Sequence, residues 1–350
     1  MTLSDLPNKF PHLKFESNHL LAPHTTVKIG GPAELYVETP NTKDFVELIT
    51  LARKNQIPVT LLGWGANTLI ADEGIKGLVV KNTSNQIDIV NENVTAPIET
   101  VTTIPRWQSD DSNSNKKYEF EDLDYNENDS PRIRVEISSG VGLPVVINTL
   151  LQQGITGLQW FSRIPGSIGG AIYNNIHGGT HFISEVIEFI TVIDKDGELQ
   201  KIATKDAEFG YDFSRFHHSE EVIVSATFLL FKGDVEKAKQ VVVEWAKRKS
   251  IQPQNSLGCV FQNLTADQQK QLNLPTPSIG YLIEHVLNKK GFKIGGAMVS
   301  EKHCAFIENV GNATAKEYKA VIDTLVNETK EKTGIELKSE IFYLGFDNGK

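Results

Sequence analysis

A chain of 350 residues, 39% hydrophobic and 23% charged, is long enough for two or three domains, since single cores rarely grow past roughly 250–300 residues. Its net charge of −9 at pH 7 and the lack of a basic stripe argue against a nucleic-acid partner, while leaving room for a small anionic ligand. Two cysteines, Cys259 and Cys304, are too few for a disulfide framework. The opening MTLSDLPNKF is polar and no run approaches a membrane span, so a cytoplasmic protein without a membrane partner is expected.

Residues 1–24 read as an N-terminal segment. AELYVET (33–39) alternates as a strand. TKDFVELITLARKNQ (42–56) reads as a helix opening on a Thr cap, with Phe45, Leu48, Ile49 and Ala52 at helical spacing. IPVTLLG (57–63) and KGLVVKN (76–82) complete a βαβ-type unit carrying GWGANTLIADEG (63–74). Residues 105–131 are dominated by Asp, Glu, Asn and Ser, with aromatics at no period, which predicts an exposed, mobile insertion. RIRVEISSGVGLPVVINTLLQQG (132–154) returns to strand, glycine turn and helix. Strands follow at 186–194 and 197–203, about a Lys-Asp-Gly turn, and at 221–233. A helix at 234–250 opens the last part of the chain, which holds a second helix at 314–334, ending on Gly334, and a strand at 336–345. The division predicted is therefore 1–24, 25–233 and 234–350, in an α+β architecture.

Three stretches are rich in glycine: Gly30-Gly31, Gly63 to Asn67, and Pro165 to Gly170. Glycine allows positive φ and lets backbone N–H groups approach an anion such as a pyrophosphate. None fits G-x-G-x-x-G or the P-loop pattern. Each alone reads as a tight turn, whereas three in one chain, each beside an Asn or Ser, point to a large dinucleotide. No metal site is expected, because His217 and His218 are adjacent and no Cys or His pair has ligand spacing.

The order and wording of several stretches make the chain recognisable. TTVKIGGPAELYVE (25–38), LLGWGANTLIADEGIKGLVV (61–80) and RIPGSIGGAIYNNIHGG (163–179) come first. GCVFQN (258–263), SIGYLIE (278–284), GFKIGGAMVSEKHCAFIEN (291–309) and ELKSEIFYLG (336–345) follow. Together they resemble the UDP-N-acetylenolpyruvoylglucosamine reductase (UDP-N-acetylmuramate dehydrogenase) family, in its shorter class. The resemblance implies a two-subdomain FAD-binding domain of the UDP-N-acetylmuramate dehydrogenase / vanillyl-alcohol-oxidase type plus a smaller α+β C-terminal substrate domain. It implies FAD and NADPH as cofactors and a UDP-sugar substrate, UDP-N-acetylglucosamine enolpyruvate, reduced to UDP-N-acetylmuramate. It also implies a role in peptidoglycan precursor synthesis, hence in cell wall biogenesis, cell shape and cell division, with a monomer favoured.

Carried onto this sequence, the resemblance assigns cofactor binding to Gly30, Gly31, Leu62, Gly63, Trp64, Gly65, Ala66, Asn67, Thr68 and Leu69. It adds Arg163, Ile164, Pro165, Gly166, Ser167, Gly169, Gly170, Ala171 and Asn175. Tyr211 and Asn263 are implied to bind substrate. Cys259 stands where the family has a serine that donates the proton, and a thiol, with a reference pKa of about 8.5, is a competent acid at neutral pH. Glu340 matches the family's C-terminal catalytic glutamate.

The sequence departs from the pattern at Asp212, which holds the place of an arginine that acts with that glutamate. A carboxylate there would repel an anionic substrate. Arg215 is the candidate replacement, although strand alternation would put it on the opposite face, and an ion pair with Glu220 or Glu221 is its plain alternative. Ile251 replaces a lysine implied to contact NADPH or substrate, with Lys247, Arg248 and Lys249 nearby. His177 reads as a turn cap or a flavin contact, and Cys259 has the alternative of a buried structural thiol. Two other readings remain: a flavin oxidase or dehydrogenase acting on a different substrate, with Asp212 as base, and a flavin-binding protein without turnover.

Overall fold

The structure, a computed structural model, describes residues 1–94, 123–250 and 252–346. Residues 105–122 of the expected insertion, and position 251, lie outside them. Among the described residues no helix is long and apolar enough to cross a membrane.

The first unit holds β1 (Phe15–Leu20), β2 (Pro32–Thr39), β3 (Val59–Leu62), β4 (Thr68–Ile70) and β5 (Ile75–Asn82). Four of these form a sheet in the order β1-β2-β5-β3. β2 and β3 both run parallel to β5, as a crossover helix between them requires. That helix, Thr42–Lys54, buries Phe45, Leu48, Ile49 and Ala52 as its periodicity dictates. Its cap is Asn41 rather than Thr42, because Asn41 has the extended backbone and accepts from the Asp44 N–H at 2.8 Å. Residues 1–24 belong to this unit: β1 pairs with β2, and Leu6, Phe10 and Leu13 enter its core.

The second unit contains β6 (Ile87–Val94), β7 (Arg132–Ser138), β8 (His177–Gly178), β9 (His181–Phe182), β10 (Ile187–Ile193), β11 (Leu199–Ala203) and β12 (Val222–Phe231). An antiparallel sheet runs β11-β10-β12-β7-β6, and β8 pairs with β9 as a separate hairpin. β12 is buried at every position, without alternation, because both its faces are covered. Val222 and Val224 pack into the first core, while Ile223, Phe228 and Leu230 pack into the second. Helix Val235–Lys249 places Ala238, Val241 and Trp245 in the second core, so the expected division at 233/234 precedes an element that this unit holds.

The C-terminal end of the acidic insertion is folded, contrary to its composition. Leu123 and Tyr125 pack against the second core. The buried Glu127 carboxyl accepts from Thr156 Oγ1 and Gln159 Nε2. Asp124 lies 2.8 Å from His181 Nε2 on the β8–β9 hairpin. Each acid has found a donor, which is the condition for burying it.

The third unit is an antiparallel sheet, β13-β16-β15-β14, of β13 (Ser256–Cys259), β14 (Lys293–Ile294), β15 (Ala297–Val299) and β16 (Phe306–Asn309). Helix Ala315–Thr333 covers it with Tyr318, Val321, Ile322 and Leu325. A capping box of Thr314 and Glu317 starts this helix and Gly334, at φ 74°, ends it. The last strand, β17 (Phe342–Leu344), pairs in parallel with β4 of the first unit. The strand expected over 336–345 is therefore short, and residues 338–340 instead run beside the third unit, Gln262 N–H donating to Lys338 O and Glu340 N–H to Val260 O.

Candidate active site

Where the three units meet, a cleft of about 1960 Å³ opens. Single-ligand sites usually occupy about 300–1,000 Å³, so this cleft has room for more than one ligand. One wall is the segment 62–68 leaving β3, another is 163–171, and the floor is 256–259 with 338–342. Asn67 ties wall to floor, its Nδ2 donating to Glu340 O at 2.9 Å.

The walls present backbone. Gly65 has φ +57°, and a Cβ on it would stand 2.6 Å from His24 O, so only glycine fits that turn. The N–H groups of Gly65, Ala66 and Asn67 meet no acceptor among the described residues. Opposite, nothing stands within 4 Å of where a Cβ on Gly166 would lie, so that backbone is open to the cleft. Such a cradle of uncommitted N–H groups and bare backbone fits a dinucleotide pyrophosphate and a flat ring system.

Of the residues assigned to cofactor binding, Leu62 to Thr68, Arg163 to Ser167, and Gly169 to Ala171 line the cleft. Four do not. Gly30 and Gly31 serve a close chain approach instead: Gly31 N–H donates to Ala71 O, and a Cβ there would sit 2.2 Å from Asp72 O. Leu69 is fully buried in the third core. Asn175 is fully buried too, and its Nδ2 donates to Gly210 O at 2.8 Å while its Oδ1 accepts from Ser184 N–H. Its neighbour Asn174, with Asn82 and Ser139, lines the cleft without having been singled out for it, and His177, read as a turn cap or a flavin contact, lines it too.

The floor gathers side chains from distant places. Cys259 ends β13, paired with Phe306, and faces the cleft. Glu340 lies beside it on the segment that returns to the first unit. The loop 210–213 is a tight turn, Gly210 N–H donating to Phe213 O at 2.9 Å, in which Asp212 adopts φ +46°. The strand alternation expected over 211–215 is thereby broken, and Tyr211 and Asp212 both face the cleft. Burial first, then the Asp212 charge and hydrogen bonding between the two carboxyls, push Glu340 well above the usual carboxylate range. Tyr211 is pushed up by burial and by the charges of Asp212, Glu340 and Cys259, so it stays a phenol.

Two assigned residues do not join them. Arg215 gives Nε and Nη2 to Glu221 at 3.0 and 2.9 Å and Nη1 to Asp206 O, and it does not line the cleft. Its place in the turn sequence carries it past the floor to the surface side. Asn263 is also outside the cleft, its Oδ1 accepting from Ile279 N–H at 3.0 Å. The basic side chain that touches Asp212 is His177, whose Nδ1 lies 3.3 Å from Asp212 Oδ1. Of the cluster near position 251, Lys249 reaches the cleft, while Lys247 and Arg248 pair with Glu244.

Comparison with known proteins agrees with this geometry. A model of the C-terminal domain of UDP-N-acetylenolpyruvoylglucosamine reductase matches residues 252–344, and an FAD binding domain model matches 121–203. The UDP-N-acetylenolpyruvoylglucosamine reductase of Protochlamydia amoebophila is 30% identical over 343 residues, covering 98% of this chain and 97% of that protein. The protein of the same name from Listeria monocytogenes is 28% identical over 356 residues, covering 99% and 100%. The crystal structure of the Thermus caldophilus UDP-N-acetylenolpyruvylglucosamine reductase has the same fold, with a TM-score of 0.66 at 23% identity over 95% of this chain and 98% of that one. Likeness at 30% identity along nearly the whole length of both chains places this chain in the UDP-N-acetylenolpyruvoylglucosamine reductase family.

Proposed function

We propose that this chain uses NADPH and bound FAD to reduce UDP-N-acetylglucosamine enolpyruvate to UDP-N-acetylmuramate, a step of peptidoglycan precursor synthesis in the cytoplasm. The observation that carries the reading is the convergence of Cys259 and Glu340 on one floor beneath the two backbone walls. Bound along those walls, FAD supplies two-electron hydride chemistry. Gly65, Ala66 and Asn67 would hold its pyrophosphate by their N–H groups, and segment 163–171 would flank its ring.

The residues of the floor handle the proton. Reducing the substrate's C=C bond takes a hydride at one carbon and a proton at the other, the one next to the carboxylate. Cys259 Sγ–H delivers that proton, leaving a thiolate that solvent reprotonates. Tyr211 O–H, kept protonated, orients the enolpyruvyl group. Lys249 at the rim is placed for a nucleotide phosphate. Cell shape and division depend on this product, so they follow from the same proposal.

The test is NADPH oxidation by FAD-loaded protein with and without the enolpyruvyl substrate. Oxidation that depends on the substrate, with UDP-N-acetylmuramate as product, is expected. Oxidation indifferent to that substrate would remove the reading.

A further inference from the structure

Tyr211 reaches the cleft from a turn that neighbouring groups hold in place. Gly210 O accepts from Asn175 Nδ2 at 2.8 Å, and Asn175 Oδ1 accepts from Ser184 N–H at 3.2 Å. Asn175 stands before the β8–β9 hairpin and Ser184 after it, and Ile183 N–H donates to Ile176 O across the same base. There His177 and Phe182 pair in register, and both rings meet that of Tyr211, with centroids at 5.1 and 6.4 Å. One end of the hairpin therefore braces Tyr211.

The other end is gripped by the C-terminal end of the acidic insertion. Asp124 gives one carboxylate oxygen to each of two hairpin residues: Oδ2 accepts from Thr180 Oγ1 at 2.9 Å, and Oδ1 lies 2.8 Å from His181 Nε2. Glu185 Oε2 lies 3.2 Å from the other ring nitrogen of His181, and the ring stacks on Trp160 at 4.2 Å and 18°. A Cβ on Gly178 would stand 2.0 Å from Trp160 O, so β8 lies directly on that chain. Leu123 and Tyr125, on either side of Asp124, pack against the second core, and the Tyr125 hydroxyl accepts from Gln159 Nε2 at 3.0 Å, which anchors the grip in that unit.

We propose that Asp124 is a positioning residue of this site: by holding the turn of the β8–β9 hairpin it fixes the hairpin's base, and through that base the place of Tyr211 in the cleft. The proposal rests on the functional reading above only for what Tyr211 orients. The hairpin is short enough to carry the effect. Gly178 pairs with His181 and His177 with Phe182, and only Gly179 and Thr180 lie between the strands, so the gripped pair and the pair against Tyr211 are adjacent. A turn set loose at Thr180 and His181 therefore shifts the two rings on which Tyr211 leans.

Hydrogen exchange, read by mass spectrometry on FAD-loaded protein, shows the coupling without turnover. Asp124→Ala should speed exchange in peptides covering 177–182 and, with them, 207–216, while helix Ala315–Thr333 exchanges as in wild type. Its kcat/KM for the enolpyruvyl substrate should fall roughly tenfold, within reach of a misplacement that starts far from the chemistry. Tyr211→Phe should lower kcat/KM as well. Asp124→Ala added to Tyr211→Phe should lower it no further, because a residue that acts through the Tyr211 hydroxyl then has nothing to act on. Asp124→Asn, whose amide can still accept from His181 and donate to Thr180, should keep more kcat/KM than Asp124→Ala. Should Asp124→Ala not fold, Thr180→Val removes one of the two bonds and should give the same pattern at smaller size. Unchanged exchange over 207–216, losses from Asp124→Ala and Tyr211→Phe that multiply, or no recovery in Asp124→Asn overturns the proposal. A wild-type protein inactive on the enolpyruvyl substrate would remove the functional reading, and the exchange result would still decide the role of Asp124.

Discussion

Segments 62–68 and 163–171 meet the cleft largely through backbone, whereas its floor is made of side chains, Cys259, Glu340, Asp212 and His177, brought from four separate elements. The wall depends on side chains being absent where a flat ligand and its phosphates approach. The floor depends on particular atoms and their protons. A change that ruins one should therefore leave the other nearly intact, and the two can be broken separately.

The largest effect belongs to the floor. Glu340→Gln removes a carboxyl from this floor beside Cys259, and turnover should fall by ~10²–10⁴-fold, the usual range for a lost acid–base group. Flavin absorbance and FAD affinity should stay as in wild type. The wall responds the opposite way. Gly65→Ala forces a Cβ against His24 O at φ +57°, which should cost ~1–3 kcal/mol and weaken FAD binding, read by denaturant titration and flavin fluorescence.

A smaller effect concerns the hairpin that carries His177. On the same hairpin, burial alone would lower His181, but its hydrogen bonds with Asp124 and Glu185 outweigh burial and push it up to about 9. Its folded pKa lies above the ordinary value of about 6.5, so its stabilisation is complete below that pH and is lost as pH rises toward about 9. Tm should fall across that window in wild type, and the fall should be shallower in His181→Gln. The smallest effect lies far from both regions. Thr314→Ala removes a capping box and should cost about 1 kcal/mol with kcat unchanged, measured by thermal unfolding and assay.

The wall was the more legible region, for a physical reason. Bare backbone near a ligand demands Gly and Ala in sequence, so Gly63 to Asn67 and Pro165 to Ala171 stand out locally. The same composition also misled: Gly30 and Gly31 answer a strand passing close to Asp72, a contact that no local pattern distinguishes from ligand contact. Asn174 and Asn175 differ only in which way one turn points them. Helix Ala315–Thr333 was legible to its ends because Thr314, Glu317 and Gly334 are local caps, and helix Val235–Lys249 was legible as a helix. What its apolar face packs on, the second core, depends on tertiary structure that periodicity does not carry.

The floor could be read only in part, because its members are apart in sequence. Cys259 and Glu340 were found through the family resemblance, not through spacing. Asp212 looked like a defect because its partner His177 lies 35 residues upstream, and a left-handed turn, not a strand, aims it. Arg215 was attractive for its charge, but Glu221, six residues on, takes it. Glu127 looked solvated until Thr156 and Gln159 supplied donors.

The most direct test of a wall that holds flavin over a floor that gives the proton is an anaerobic experiment on Cys259→Ala. The FAD-loaded variant should bleach with NADPH as wild type does, and then fail to recover its yellow colour on addition of UDP-N-acetylglucosamine enolpyruvate. Recovery at the wild-type rate, with product formed, would contradict the account.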